Sequence, residues 1–176
     1  MIIGNKINFA IEINVTEKTP SIKGRSRIWL ESEPIGNFES IEALYPLINS
    51  LHVDRRWIEN KSIPEINYDY FKDKQDLFNY LLDFSSFKDM FQKLVRGESD
   101  VIKSFDRIAF SASENFDNYI IRRFISDGNV IFVWRAAPLT MVSEIKVSKI
   151  SVNSFCSTVN ELEKLTDFRP QNYFFD

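Results

Sequence analysis

The chain predicts an α+β fold, one domain over residues 1–176 with a largely antiparallel central sheet of about six strands and helices packed against it. Three features lead there. Residues 7–15 alternate apolar and polar side chains strictly, and Asp127-Gly128 stands between two β-branched and aromatic runs. The elements also come as strands, then helices, then strands and a helix, without the recurring strand–helix alternation of a parallel sheet. A chain of 176 residues can bury roughly 70% of its unfolded surface in one core. Its 16 Phe against 5 Gly and 6 Pro fit a packed globule.

In the first strand, residues 7–15, Ile7, Phe9, Ile11, Ile13 and Val15 share a face, with Asn8, Ala10, Glu12 and Asn14 opposite. A turn containing Thr19, Pro20 and Gly24 leads into a second strand, residues 25–31, with Ile28 and Leu30 opposite Trp29; Pro34 and Gly36 end this hairpin. Residues 40–51 predict a short helix with Ile41, Leu44, Ile48 and Leu51 on one side, its regularity limited by an interior Pro46. Residues 52–70 show no sustained period, and Pro64 marks a loop. Asp73 and Asp76 then read as the N-terminus of a helix carrying Leu77, Phe78, Leu81 and Leu82. Ser86 caps a further helix, with Phe87, Met90, Phe91, Leu94 and Val95 as its apolar stripe before Gly97.

Residues 107–113 alternate Ile108, Phe110 and Ala112 as a strand, and residues 114–118 turn into the central hairpin. Asp-Gly suits a two-residue loop with positive φ at both positions, which sets Ile125 opposite Val130, Arg123 opposite Phe132 and Ile121 opposite Trp134. Phe124 against Ile131 and Arg122 against Val133 occupy the other face. Residues 130–134 are apolar on both faces, so helices should pack on at least part of each. Pro138 ends the hairpin. In residues 145–152 the apolar parity shifts from Ile145 and Val147 to Ile150 and Val152, which predicts an inserted residue at Ser148-Lys149. Asn153 or Ser154 caps a last helix carrying Phe155, Val159 and Leu162, with Leu165 near its end and an aromatic tail beyond.

Little in the residue inventory is reactive. His52 and Cys156 exhaust the imidazole and thiol supply, which excludes a zinc site; both read better as structural residues than as base or nucleophile. No glycine-rich phosphate loop and no G-x-S-x-G occurs. The carboxylate pairs Glu31/Glu33, Asp73/Asp76 and Glu161/Glu163 read as solvated or capping groups among 25 acidic residues. Arg122, Arg123, Trp134 and Arg135 could stack on bases, yet a net charge of -3 argues against nucleic acid and for stems that cover the rim of the core. A single cysteine, no secretory signal and no run of about 20 apolar residues predict a soluble cytoplasmic protein without a membrane partner.

Charge is uneven along the chain. Residues 1–30 hold five basic and two acidic side chains, a net of +3, whereas residues 31–76 hold ten acidic and five basic, a net of -5. The acidic stretch also carries Trp57, Tyr68 and Tyr70, a composition suited to gripping a basic protein.

The opening M-I-I-G-N-K-I-N-F-A-I-E and the following G-R-S-R-I-W-L-E-S-E-P-I-G-N-F resemble the immunity protein 42 family of bacterial polymorphic toxin systems. The positions that carry the resemblance are Met1, Ile2, Gly4, Phe9, Ala10, Ile11, Trp29, Glu33, Pro34, Ile35 and Gly36. It implies a non-enzymatic antidote without a cofactor that binds and neutralises the C-terminal domain of a cognate toxin. Toxins of this kind, including those of contact-dependent inhibition, are frequently nucleases with basic clefts, which an acidic protein can occlude by setting carboxylates where phosphates would lie. The charge asymmetry places the toxin-facing residues among Glu31, Glu33, Glu39, Glu42, Tyr68, Asp69, Tyr70 and Asp73. A small nucleic-acid-processing enzyme and a non-catalytic assembly subunit are the alternatives.

Overall fold

The computed structural model describes residues 1–18, 21–82, 108–110, 112–137 and 143–169. The expected helix at 86–97, the turn residues Thr19 and Pro20, the strand-end Arg107, Pro138 and the tail 170–176 lie outside them. Among the described residues, eight strands form two antiparallel sheets, where about six strands in one sheet were expected. The five-stranded sheet comprises β1 (Ile2–Asn5), β2 (Phe9–Glu17), β3 (Lys23–Leu30), β4 (Glu33–Ile35) and β5 (Glu42–Ala43). The three-stranded sheet comprises β6 (Tyr119–Ser126), β7 (Asn129–Ala136) and β8 (Lys146–Ser151) in that order. Three helices complete the described fold, α1 (Tyr45–Glu59), α2 (Lys74–Leu82) and α3 (Val152–Leu165).

The central hairpin has the expected register, Ile125 to Val130, Arg123 to Phe132 and Ile121 to Trp134. Its turn residues Asp127 and Gly128 have φ of 47° and 74°, the left-handed pair that a two-residue loop demands. β7 is buried on both faces, as its composition requires. On one side Val130, Phe132 and Trp134 join Phe9, Ile11, Ile28 and Leu30 of the other sheet together with residues of α1 and α3. On the other side Ile131 and Val133 meet Leu77, Phe78 and Leu81 of α2. Phe132 stands 6.4 Å from Phe9 and 6.1 Å from Phe155 in a layer of aromatic rings. Each fully buried side chain of this size stabilises the fold by roughly 1.5–3 kcal/mol.

Several local expectations need correction. Pro46 lies in the first turn of α1, where its missing N–H costs no hydrogen bond, so the helix runs to Glu59 through the stretch expected to be aperiodic. Beyond Leu30 the chain folds back: Glu31 and Ser32, at φ of 48° and 74°, make a glycine-free version of the same turn, and β4 pairs Pro34 with Trp29. Ile7 lies outside the strand and is 69% exposed, while Phe9, Ile11 and Ile13 are buried as expected. Segment 108–110 contributes one bridge, Ala109 to Arg122, rather than a strand; Ile108 and Phe110 serve opposite sides of the three-stranded sheet. β8 pairs with β7 without a bulge. Its change of parity arises because Ile145 and Val147 face α2's side while Ile150 faces the other sheet. Finally, Ser151 caps α3 by accepting from the Ser154 N–H at 3.2 Å, in place of Asn153 or Ser154. Asp73 caps α2 as expected, its Oδ1 accepting from the Asp76 N–H at 2.8 Å.

Candidate functional site

The edge strand β8 collects residues from two distant segments. The Glu31–Ser32 turn reaches across from the five-stranded sheet, and Glu31 Oε1 accepts from the outward Lys149 N–H at 3.3 Å. Glu33 follows, its carboxylate 2.8 Å from Lys146 Nζ. From the other direction the 3-10 turn Tyr68–Tyr70 brings the Tyr68 ring to 4.3 Å from Lys149 Nζ. That turn is fixed by Tyr68 N–H donating to Ser126 Oγ at 3.2 Å and Asp69 N–H donating to Asn67 Oδ1 at 3.0 Å. Glu31, Glu33 and Tyr68 therefore line a seam along the β8 edge, Glu33 from the side of the five-stranded sheet and Tyr68 from the side of α2. Asp69 and Tyr70 extend it along the same exposed turn, Tyr70 being 65% exposed, and exposed Asp73 follows at the cap of α2. The seam is of mixed charge, because Lys146 and Lys149 alternate with the carboxylates.

The remaining two candidates behave differently. Glu39 is exposed on the loop after β4, where its N–H donates to Asn37 Oδ1 at 3.1 Å. Glu42 is half-buried and accepts from Ser26 Oγ at 3.0 Å, Ser113 Oγ at 2.7 Å and the Asn115 N–H at 3.3 Å, so its carboxylate ties β3 to the segment before β6.

Groups with catalytic potential are absorbed into structure. His52 Nδ1 lies 3.1 Å from Glu163 Oε1, and Arg55 bridges Glu163 and Glu59 at 3.1 and 2.6 Å, stapling α1 to α3. Cys156 is half-buried there, and burial pushes its thiol up, reinforced by Glu59 and opposed by Arg55. Among the described residues no cluster of three or more His, Cys, Asp and Glu could hold a metal ion. No described helix is long and apolar enough to cross a membrane.

The arginine cluster of the hairpin is divided by the pleat. Arg135 lies over the Phe78 ring at 5.2 Å, while Lys146, 5.2 Å from the Trp134 ring, covers the opposite face. Arg123 reaches a carboxylate, Asp54 of α1, but does so inward, in the core rather than at its rim. Arg123 Nη1 also donates to Ala109 O at 2.7 Å. Burial pushes the Asp54 carboxyl up to about 7, and the attraction of Arg123 opposes that shift without cancelling it. Each sits on an apolar face, Arg123 between Ile121 and Ile125 and Asp54 between Leu51 and Ile58, but their pairing across 69 residues is not written in either stretch.

A second constellation, also unforeseen, lies on the face of the five-stranded sheet turned away from the core. Glu12 Oε2 accepts from Arg27 Nε at 2.8 Å and Trp29 Nε1 at 2.9 Å, with Lys6 Nζ at 3.3 Å. Partial burial raises the Glu12 carboxyl, but these donors outweigh it and hold the group below its ordinary value. The alternation of residues 25–29 was legible, but the ring of contacts depends on Lys6 arriving from another turn.

No curated protein matches the chain. The crystal structure of CdiI from Burkholderia dolosa AUO158 shares the fold, with a TM-score of 0.58 over 94% of this chain and 99% of that chain at 16% identity. The model of the immunity protein 42 family matches residues 1–165, which take in both sheets, the seam and α3. The chain thus belongs to the immunity protein 42 family.

Proposed function

We propose that this protein binds the C-terminal domain of a cognate contact-dependent toxin and neutralises it without catalysis, by covering its active site or substrate-binding surface. The observation that carries the reading is the convergence of Glu31, Glu33 and Tyr68 on the β8 edge, beside the exposed Asp69, Tyr70 and Asp73. Tyrosines flanked by carboxylates suit a basic protein surface, and the Lys146 ammonium and the Lys149 N–H orient Glu33 and Glu31 before the partner arrives. A nuclease, whose cleft is basic because it receives phosphates, is the toxin class such a surface fits best. Glu42 stands apart from the contact, since its oxygens are already taken, and Glu39 lies at most at its margin.

The test is a binding titration of the purified toxin domain encoded beside this chain against the wild type and a Glu33→Lys/Asp69→Lys/Asp73→Lys variant. Weaker binding with a shallower salt dependence supports the seam as the contact; unchanged affinity removes it. Growth rescue on co-expression tests the neutralising role itself.

A further inference from the structure

We propose that the outer face of the five-stranded sheet is a second contact surface, and that its occupant is a carboxylate-bearing segment of the same toxin domain. The inference rests on the immunity reading and adds a partner chemistry of opposite sign to the seam. Three cations, Lys6, Arg25 and Arg27, meet one carboxylate, Glu12, around Trp29 on this face. In a chain of net charge -3, that is a local excess of positive charge.

The face is also organised in advance. Lys6 Nζ lies 3.9 Å from the Trp29 ring centroid, and the Arg27 guanidinium carbon lies 4.7 Å from Trp29 and 4.6 Å from the Phe38 ring. All three donors to Glu12 use one oxygen, so the side chains hold one arrangement before any partner arrives, and little rotamer freedom is left to lose on binding. Arg27 spends its Nε on Glu12, and its terminal nitrogens make no hydrogen bond among the described residues. Arg25 Nε is buried without a hydrogen-bond partner among them. Planar guanidinium groups with free terminal nitrogens beside a half-exposed indole recognise carboxylates in bidentate fashion, and Arg and Trp are the residue types that dominate protein contacts. A nucleic acid fits less well, because Glu12 sits at the centre of the face and the whole chain repels a polyanion. The seam sets Glu31, Glu33, Asp69 and Asp73 against Lys146 and Lys149, while this face sets three cations against Glu12, so the pair of surfaces would admit the toxin in one orientation only.

The experiment is calorimetric titration of the purified toxin domain into the full-length wild type and an Arg25→Gln/Arg27→Gln variant whose thermal unfolding has been compared with wild type. A second variant, Asn14→Glu, adds a carboxylate at an exposed position opposite Arg25 and disturbs no packing. The expected result is at least tenfold weaker binding for both, with the melting temperature of Asn14→Glu unchanged. Affinities within twofold of wild type for Asn14→Glu overturn the inference while leaving the immunity reading intact. A wild type that fails to bind the toxin domain overturns both. Tight binding of a labelled single-stranded oligonucleotide by the wild type, lost in Arg25→Gln/Arg27→Gln, overturns the protein partner in favour of nucleic acid.

Discussion

Arg123 of β6 and Asp54 of α1 form an ion pair in which the two side chains are 2% and 1% exposed, so the hairpin and the first helix are joined by charges almost wholly removed from water. The Trp57 and Phe110 rings lie 5.9 and 5.5 Å from the guanidinium carbon and keep the surroundings apolar. Breaking such a pair leaves an uncompensated buried charge, which costs about 3–5 kcal/mol. Arg123→Met alone should lower the unfolding free energy at neutral pH by that amount, while Asp54→Leu with Arg123→Met should recover most of it. Denaturant titration decides; an Arg123→Met variant within about 1 kcal/mol of wild type contradicts the role assigned to the pair.

The same pair sets a pH dependence. Burial raises the folded Asp54 carboxyl from 3.8 to about 7, so the folded state holds this proton more tightly than the unfolded chain. Its contribution to stability is complete below 3.8 and is lost as the pH rises through about 7. The wild-type stability minus that of Asp54→Asn should therefore fall with pH across that interval. A flat or rising difference contradicts the assignment.

The Glu31–Ser32 turn holds two non-glycine residues at positive φ, a conformation that costs L-residues roughly 1–2 kcal/mol each. Backbone bonds from Glu31 N–H to Asn8 O at 2.8 Å and from Ser32 N–H to Lys6 O at 2.7 Å hold it. Ser32→Gly should relieve part of the strain, and after the added entropy of the unfolded chain a gain of about 0.5–1 kcal/mol remains. A loss of thermal stability in that variant would mean that the serine side chain has a role of its own.

Gly24 of β3 faces the backbone of β2, where an added Cβ would stand 2.3 Å from Asn14 O. Gly24→Ala should force the strands apart and destabilise the fold by about 1–3 kcal/mol. Amide exchange in β2 should accelerate most around Asn14 and Val15; uniform exchange rates would place the damage elsewhere.

These elements also show what the sequence makes legible. The Asp127-Gly128 hairpin, the β2–β3 pairing and the α3 stripe of Phe155, Val159 and Leu162 are local patterns, and each is read from neighbours in the chain. β4 escapes because its turn lacks glycine, and α1 because Pro46 looks like a breaker until its place in the first turn is known. The apparent bulge in β8 comes from a strand with apolar residues on both faces, which mimics a slip in alternation. Asp54 and Arg123 lie 69 residues apart, and only tertiary packing turns two ordinary charges into a buried pair. At the seam, the acidic and aromatic composition is visible in sequence; Glu31 and Glu33 reach β8 through the way the two sheets meet, and Tyr68 through a turn tied to Ser126 on the α2 side.

The most direct measurement of the central claim is a stoichiometric one. Purified toxin domain at fixed concentration is mixed with increasing amounts of this protein, and residual toxin activity is read together with the mass of the toxin chain. Neutralisation by covering predicts a linear fall to an end point at a fixed molar ratio, with the toxin recovered intact in a complex. Inactivation that continues at substoichiometric amounts, or a toxin whose mass changes, would contradict it.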